Sequence, residues 1–201
     1  MNYLAHFHLA WPDENLVAGG LEGDYHEGPL PGTLTPDLLD GVRLHRAIDG
    51  FTDRHPLLAQ QRQAFPEDSR RYAGILMDLC FDYFLTRHWD RFCDLSQRDF
   101  SEAVYVILSD REASLSAGAQ RMAGRLAEYD VLMQYAHWDT VIASAARIGQ
   151  RLRRANPLHR AEELLEPLRE ELEATFLVFY PELQRFSADS AMLAPPSTRI
   201  P

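Results

Sequence analysis

Asp78 and Asp82 stand four residues apart in YAGILMDLCFDYFLT (72–86), a segment that is apolar almost all the way round. Such a pattern predicts a helix buried on most sides, with both carboxylates on one face, a turn apart. Like charges repel there, and each buried carboxylate costs several kcal/mol unless something positive compensates it. Arg46 or Arg87 could do so, but a metal ion is expected instead, because LHRAIDGFTD carries complementary donors. In it His45, Asp49 and Asp53 recur at i, i+4 and i+8, among the apolar residues Val42, Leu44, Ile48 and Phe51. Asp53 can equally serve to cap the turn into His55-Pro56.

The first segment adds His6 and His8. At ~100° per residue they point to opposite sides of a helix, so one of them is expected to reach the site. His8 falls in the stripe of Leu4, Phe7 and Trp11, and packing favours it over His6 as the ligand. Asp24, after Gly23 at a helix end, could extend into a cleft. Imidazole and oxygen donors without thiolate suit Mn²⁺, with Mg²⁺ or Fe²⁺ as alternatives, rather than structural zinc. His88 at the end of the aspartate helix reads as a histidine favoured by the helix dipole.

These residues have to be positioned by helices. Short apolar helices are expected over 2–11, with Asn2 as cap, and over 14–22. The Gly- and Pro-rich stretch Tyr25–Pro36 reads as a loop, and Thr35-Pro36 then opens a helix running to His55-Pro56. Further helices are expected over 57–65, 67–89, from Ser96 or Ser101 to 116, and over 118–135, 138–154 and 161–179. No segment alternates with period two, so the fold class is all-α, a single irregular bundle of about eight helices. It occupies residues 1–186, and the small, Pro-rich tail 187–201 is expected to be disordered.

Composition narrows the partners. Twenty basic residues, all arginine, face 30 acidic ones, and a formal charge of −10 argues against a nucleic-acid backbone. There is no apolar run of the ~18–20 residues needed to span a bilayer and no secretory signal pattern at Met1–Trp11. Cys80 and Cys93 read as reduced thiols, so a cytoplasmic protein is expected. No Gly-rich phosphate loop, serine nucleophile elbow or dinucleotide fingerprint appears.

In order along the chain, NYLAHFHLA, LEGDYHEG, GVRLHRAIDGFTDRHP and ILMDLCFDYFLTRHW, then more weakly FLVFYPEL, resemble the bacterial acyl carrier protein phosphodiesterases. That family, also called acyl carrier protein hydrolase, is a divergent group of HD-domain-like helical proteins. The resemblance implies manganese-dependent hydrolysis of the phosphodiester joining 4′-phosphopantetheine to a serine of holo acyl carrier protein. It carries the family's histidine and aspartate positions onto His6, His8, Asp24, His45, Asp49, Asp78 and Asp82. His45 is followed by arginine, a departure from the HD dipeptide.

On this reading Asp24, His45 and one or both of Asp78 and Asp82 hold the metal. His6 or His8 protonates the leaving serine, and Arg46 balances phosphoryl charge, although it points ~100° away from His45. An acidic carrier meeting a net-negative enzyme needs a local arginine patch. Candidates are Arg70 with Arg71, Arg87 with Arg91, and the run Arg151, Arg153, Arg154. A metal phosphohydrolase of a small nucleotide or other phosphoester, and a non-catalytic module binding acyl carrier protein, are the competing readings.

Overall fold

The computed structural model describes residues 1–30, 32 and 34–193, with the side chain of Leu193 excepted. Among these residues the regular structure is all helical, with no strand, and no helix is long and apolar enough to cross a membrane. The helices are α1 (Tyr3–Ala10), α2 (Glu14–Gly23), α3 (Pro36–Arg54), α4 (Pro56–Ala64), α5 (Ala73–Arg87) and α6 (Gln97–Asp110). They are followed by α7 (Ala117–Glu128), α8 (Val131–Gln134), α9 (Trp138–Arg151), α10 (Ala161–Leu165) and α11 (Arg169–Leu193).

The core forms where three apolar helices meet. α5 buries Leu76, Cys80, Phe81, Phe84 and Leu85 completely, as its composition requires. Against it lie Phe176, Phe179, Tyr180 and Leu183 of α11 and Leu4 and Phe7 of α1. Phe81 sits between Phe176 and Phe179, at ring-centroid distances of 5.4 and 5.8 Å.

The crossing of α2 and α3 is set by two glycines. A Cβ on Gly19 would lie 2.4 Å from the Leu38 carbonyl oxygen and 2.7 Å from Gly41 Cα. One on Gly41 would lie 2.6 Å from Gly19 Cα. Only backbone atoms fit between the helices there, so the end of α2 is held directly against the middle of α3.

Several expected helices are shorter or divided. The segment expected to start at Glu67 becomes helical at Ala73, because Ser69 and Arg70 donate their N–H groups to the Pro66 carbonyl and form a turn first. Ser96 caps α6 by accepting from Asp99 N, and the helix stops at Asp110. The 118–135 segment breaks at Asp130, which takes a left-handed φ of 46°.

Residues 187–193, expected in a disordered tail, continue α11 instead. Pro181 removes one helix hydrogen bond, but the turns beyond it have tertiary partners. Phe186 stacks on Phe51 at 4.4 Å, and the Ser187 hydroxyl donates to the Leu9 carbonyl at 3.0 Å. Residues 194–201 of that expected tail lie outside the described residues.

Candidate metal centre

α1 turns His6 and His8 to opposite sides, and the structure brings His6, rather than His8, to α3. The His6 and His45 rings stack with centroids 4.1 Å apart and planes 19° apart. Asp49, one turn beyond His45 on α3, spans the pair: Oδ1 lies 3.2 Å from His6 Nε2 and Oδ2 lies 3.2 Å from His45 Nε2. Asp24, at the C-terminal cap of α2, places Oδ1 3.6 Å from His45 Nε2.

Gly23 makes this approach possible, because a Cβ there would lie 2.6 Å from His45 Cγ. The sequence marks Gly23 only as a helix end. The close packing was not readable from it, although the Gly19–Gly20–Gly23 spacing on one short helix is a signal for it.

His6, His45 and Asp49 each offer a donor atom within 4.8 Å of the others, a grouping able to hold a metal ion. Neither ring nitrogen of buried His6 makes a hydrogen bond, and neither does Nδ1 of His45. Unpaired buried imidazole nitrogens are rare in folded proteins. His6 Nε2 lies 3.2 Å from Asp49 Oδ1 but out of line for an N–H···O bond, as a lone pair directed at a shared cation would. Burial, followed by the stacked His45, lowers the His6 pKa to about 4, which leaves it as the neutral imidazole that ligates metals. Burial pushes the Asp49 carboxyl up, but the two imidazoles and the Met1 amino group outweigh it and hold the carboxyl well below its usual range. The donor set therefore fits a divalent metal.

Asp78 borders the same centre without joining the triad. Its Oδ1 lies 3.1 Å from the Met1 amino nitrogen, which is itself 3.7 Å from Asp49 Oδ1. Burial raises the Asp78 pKa, against the pull of that amino group. Asp49, Asp53 and Asp78 line a cleft of about 240 Å³ together with Thr52, Met77 and Arg62. Arg62 donates to the backbone carbonyl of Asp53 at 3.0 Å and pairs with its carboxylate at 3.5 Å.

Asp82 has a different partner from the cation expected. It is completely buried, and its two oxygens accept from Leu4 N at 3.0 Å and Ala5 N at 3.2 Å. It thus does the work of an N-cap for α1, while Asn2, at the cap position, donates instead to the Tyr135 hydroxyl. Burial raises the Asp82 pKa to about 7, partly offset by these two donors.

His8 lies on the far side of α1. Nε2 is 3.1 Å from the Phe92 carbonyl and Nδ1 is 2.8 Å from the Tyr180 hydroxyl. A carbonyl only accepts, so Nε2 carries the proton and Nδ1 accepts from Tyr180. Both ring nitrogens are thereby engaged.

Arg46 reaches back to the chain after Asp24, donating to the carbonyls of Gly28 at 2.8 Å and His26 at 2.6 Å. His26 pairs with buried Glu22, whose other oxygen accepts from Ser116 N at 2.8 Å. Arg70 donates to the Phe65 carbonyl, and Arg87 pairs with Glu173 at 2.8 Å. Arg71 and Arg91 lie over the rings of Tyr72 and Phe92. His88 pairs with Glu173 at 2.6 Å, away from the triad.

The model of the family described as acyl carrier protein phosphodiesterase matches residues 1–183. This chain belongs to that family. An acyl carrier protein phosphodiesterase of Yersinia enterocolitica is 31% identical to it, over 94% of this chain and 98% of the relative. One from Escherichia coli is 29% identical over 96% of this chain and the whole of the relative, and one from Yersinia pestis is 31% identical over 92% and 96%. No solved structure matches.

Proposed function

We propose that this protein hydrolyses the phosphodiester of holo acyl carrier protein, releasing 4′-phosphopantetheine and the apo protein, at a centre built on His6, His45 and Asp49. The observation that carries the proposal is the convergence of two stacked imidazoles and an ionised carboxylate in a chain whose family is named for this substrate and reaction. The phosphorus–oxygen bond to the carrier's serine breaks, water supplies the new oxygen on phosphorus, and a proton passes to the serine oxygen.

Manganese is the ion proposed, with magnesium or iron(II) as alternatives of similar ligand preference. When bound, the ion supplies Lewis acidity and lowers the pKa of a coordinated water. Burial and the stacked His45 ring keep His6 in the neutral, ligating form, and His45 faces it from α3. Asp49 keeps a full negative charge between them, and Asp24 adds a second carboxylate from the opposite helix. Asp82 holds α1, and with it His6, in register against α5. Arg46 ties down the segment that follows Asp24 rather than facing the triad, so its proposed role is to position Asp24.

The test is to incubate the protein with purified holo acyl carrier protein and manganese and to follow the carrier by mass spectrometry. Loss of the phosphopantetheine mass supports the proposal. An unchanged carrier alongside rapid turnover of free nucleotides would favour a small-phosphoester hydrolase instead.

A further inference from the structure

The chain's charge is unevenly distributed. Residues 117–160 hold seven arginines against three acidic residues, while the remainder holds thirteen arginines against 27 acidic residues. In the structure α7 and α9 turn part of this excess toward each other. Met122 and Arg125 recur along one side of α7, and Ser144, Arg147, Ile148 and Arg151 along one side of α9, the i, i+3, i+4 spacing of a single helix face. Between them runs a groove of about 660 Å³ with an apolar floor and an arginine rim.

Those arginines have no structural partner to explain them. Elsewhere Arg43, Arg62, Arg87, Arg98, Arg111, Arg160 and Arg169 are paired with carboxylates. Among the described residues Arg125, Arg147 and Arg151 form no ion pair; Arg147 donates to the Ser144 hydroxyl, and all three side chains are exposed. Arg147 and Arg151 are a like-charge i, i+4 pair, which weakens a helix rather than supporting it. The helix C-termini favour a positive charge at each end, but they do not account for three arginines without an ion pair among the described residues.

The groove passes close to the metal centre. One of its lining residues is Tyr3, three residues before His6 on α1, a rise of only ~4.5 Å along the helix axis. A partner lying in the groove would therefore sit within about one helical turn of His6 along α1.

We propose that the α7–α9 groove, through Arg125, Arg147 and Arg151, is the surface on which an acidic face of the protein substrate docks. This rests on the reading that the substrate is a protein-bound phosphodiester. On a chain of net charge −10, an unpaired basic groove beside the reacting centre is where a negatively charged partner meets attraction instead of repulsion. The arginines singled out from sequence at positions 70, 71, 87 and 91 are engaged with local carbonyl, carboxylate or ring partners. The groove residues are free to pair across an interface.

The test uses fluorescently labelled apo acyl carrier protein, so that binding is read without turnover. Its anisotropy titration is compared for the wild type, R147E/R151E, and an R54E/R185E control of the same net charge. The groove variant should bind at least about tenfold more weakly while the control binds as the wild type does. Wild-type binding should also weaken as salt rises from about 0.05 to about 0.3 M. Equal binding by wild type and groove variant, equal loss in groove variant and control, or salt-independent binding would each overturn the proposal. R147Q/R151Q, which neutralises without reversing charge, should fall between wild type and R147E/R151E, and wild-type affinity in it would count against the groove. The functional reading fails separately, if the wild type leaves holo carrier intact.

Discussion

Replacing His8 with glutamine separates a histidine that holds the core together from one that acts at the metal centre. In the fold His8 is neutral, donating from Nε2 to the Phe92 carbonyl and accepting at Nδ1 from Tyr180. Burial lowers its pKa from 6.5 to about 4. The unfolded chain therefore binds this proton more readily than the folded one. His8 contributes its full stability above pH 6.5 and loses it as pH falls toward 4. The whole span is ~3 kcal/mol, and at about pH 5 the loss is ~2 kcal/mol relative to about pH 8. Glutamine offers an N–H and a carbonyl oxygen but does not titrate. The His8→Gln protein should be destabilised by ~1 kcal/mol at about pH 8, and its loss on going to about pH 5 should be ~2 kcal/mol smaller than the wild type's. Urea unfolding at both pH values measures this, with His6 present in both proteins so that its own titration cancels. The same pH dependence in variant and wild type would refute the assignment. So would abolished turnover in a folded, metal-loaded His8→Gln protein, which would return His8 to the chemistry.

Other substitutions test the supports of the centre. Gly23→Ala drives a methyl group into His45, so metal affinity should fall and stability should drop by ~1–3 kcal/mol; calorimetric metal titration reads the first and thermal unfolding the second. Asp82→Asn keeps an oxygen for the α1 N-terminus and should retain metal at near wild-type stoichiometry, whereas loss of metal from a protein with an intact melting transition would make Asp82 a ligand. Arg46→Ala releases the His26 and Gly28 carbonyls, so proteolysis within residues 25–30 should accelerate and metal should bind more weakly; an unchanged digestion pattern would count against its positioning role.

The parts of this arrangement carried by local pattern were legible in the sequence. The near-continuous apolarity of α5 predicted its burial, and the i, i+4 spacing of His45 and Asp49 predicted a shared stripe on α3. Helical period alone placed His6 and His8 on opposite sides of α1. What it could not tell was which side faces α3, because the stripe with Phe7 and Trp11 marks a buried face without saying what packs on it. Asp82 raised a sound physical demand for compensation, but its partners are N–H groups 77 and 78 residues away in the chain. A carboxylate's need is the same whether a metal or a helix N-terminus meets it, so the residue type cannot distinguish them. The start of the expected tail differs for a related reason: the small residues and prolines of 187–201 suggest disorder, while Phe51 and the Leu9 carbonyl, both distant in sequence, hold the end of α11 in place.

If His6, His45 and Asp49 together hold the metal, removing any one of them should empty the site. Bound manganese should be quantified by mass spectrometry in wild type, His45→Ala and Asp49→Ala proteins, alongside release of phosphopantetheine from holo acyl carrier protein. Both variants should stay folded, retain little manganese and release no prosthetic group. Wild-type manganese with wild-type release in either variant would contradict that assignment.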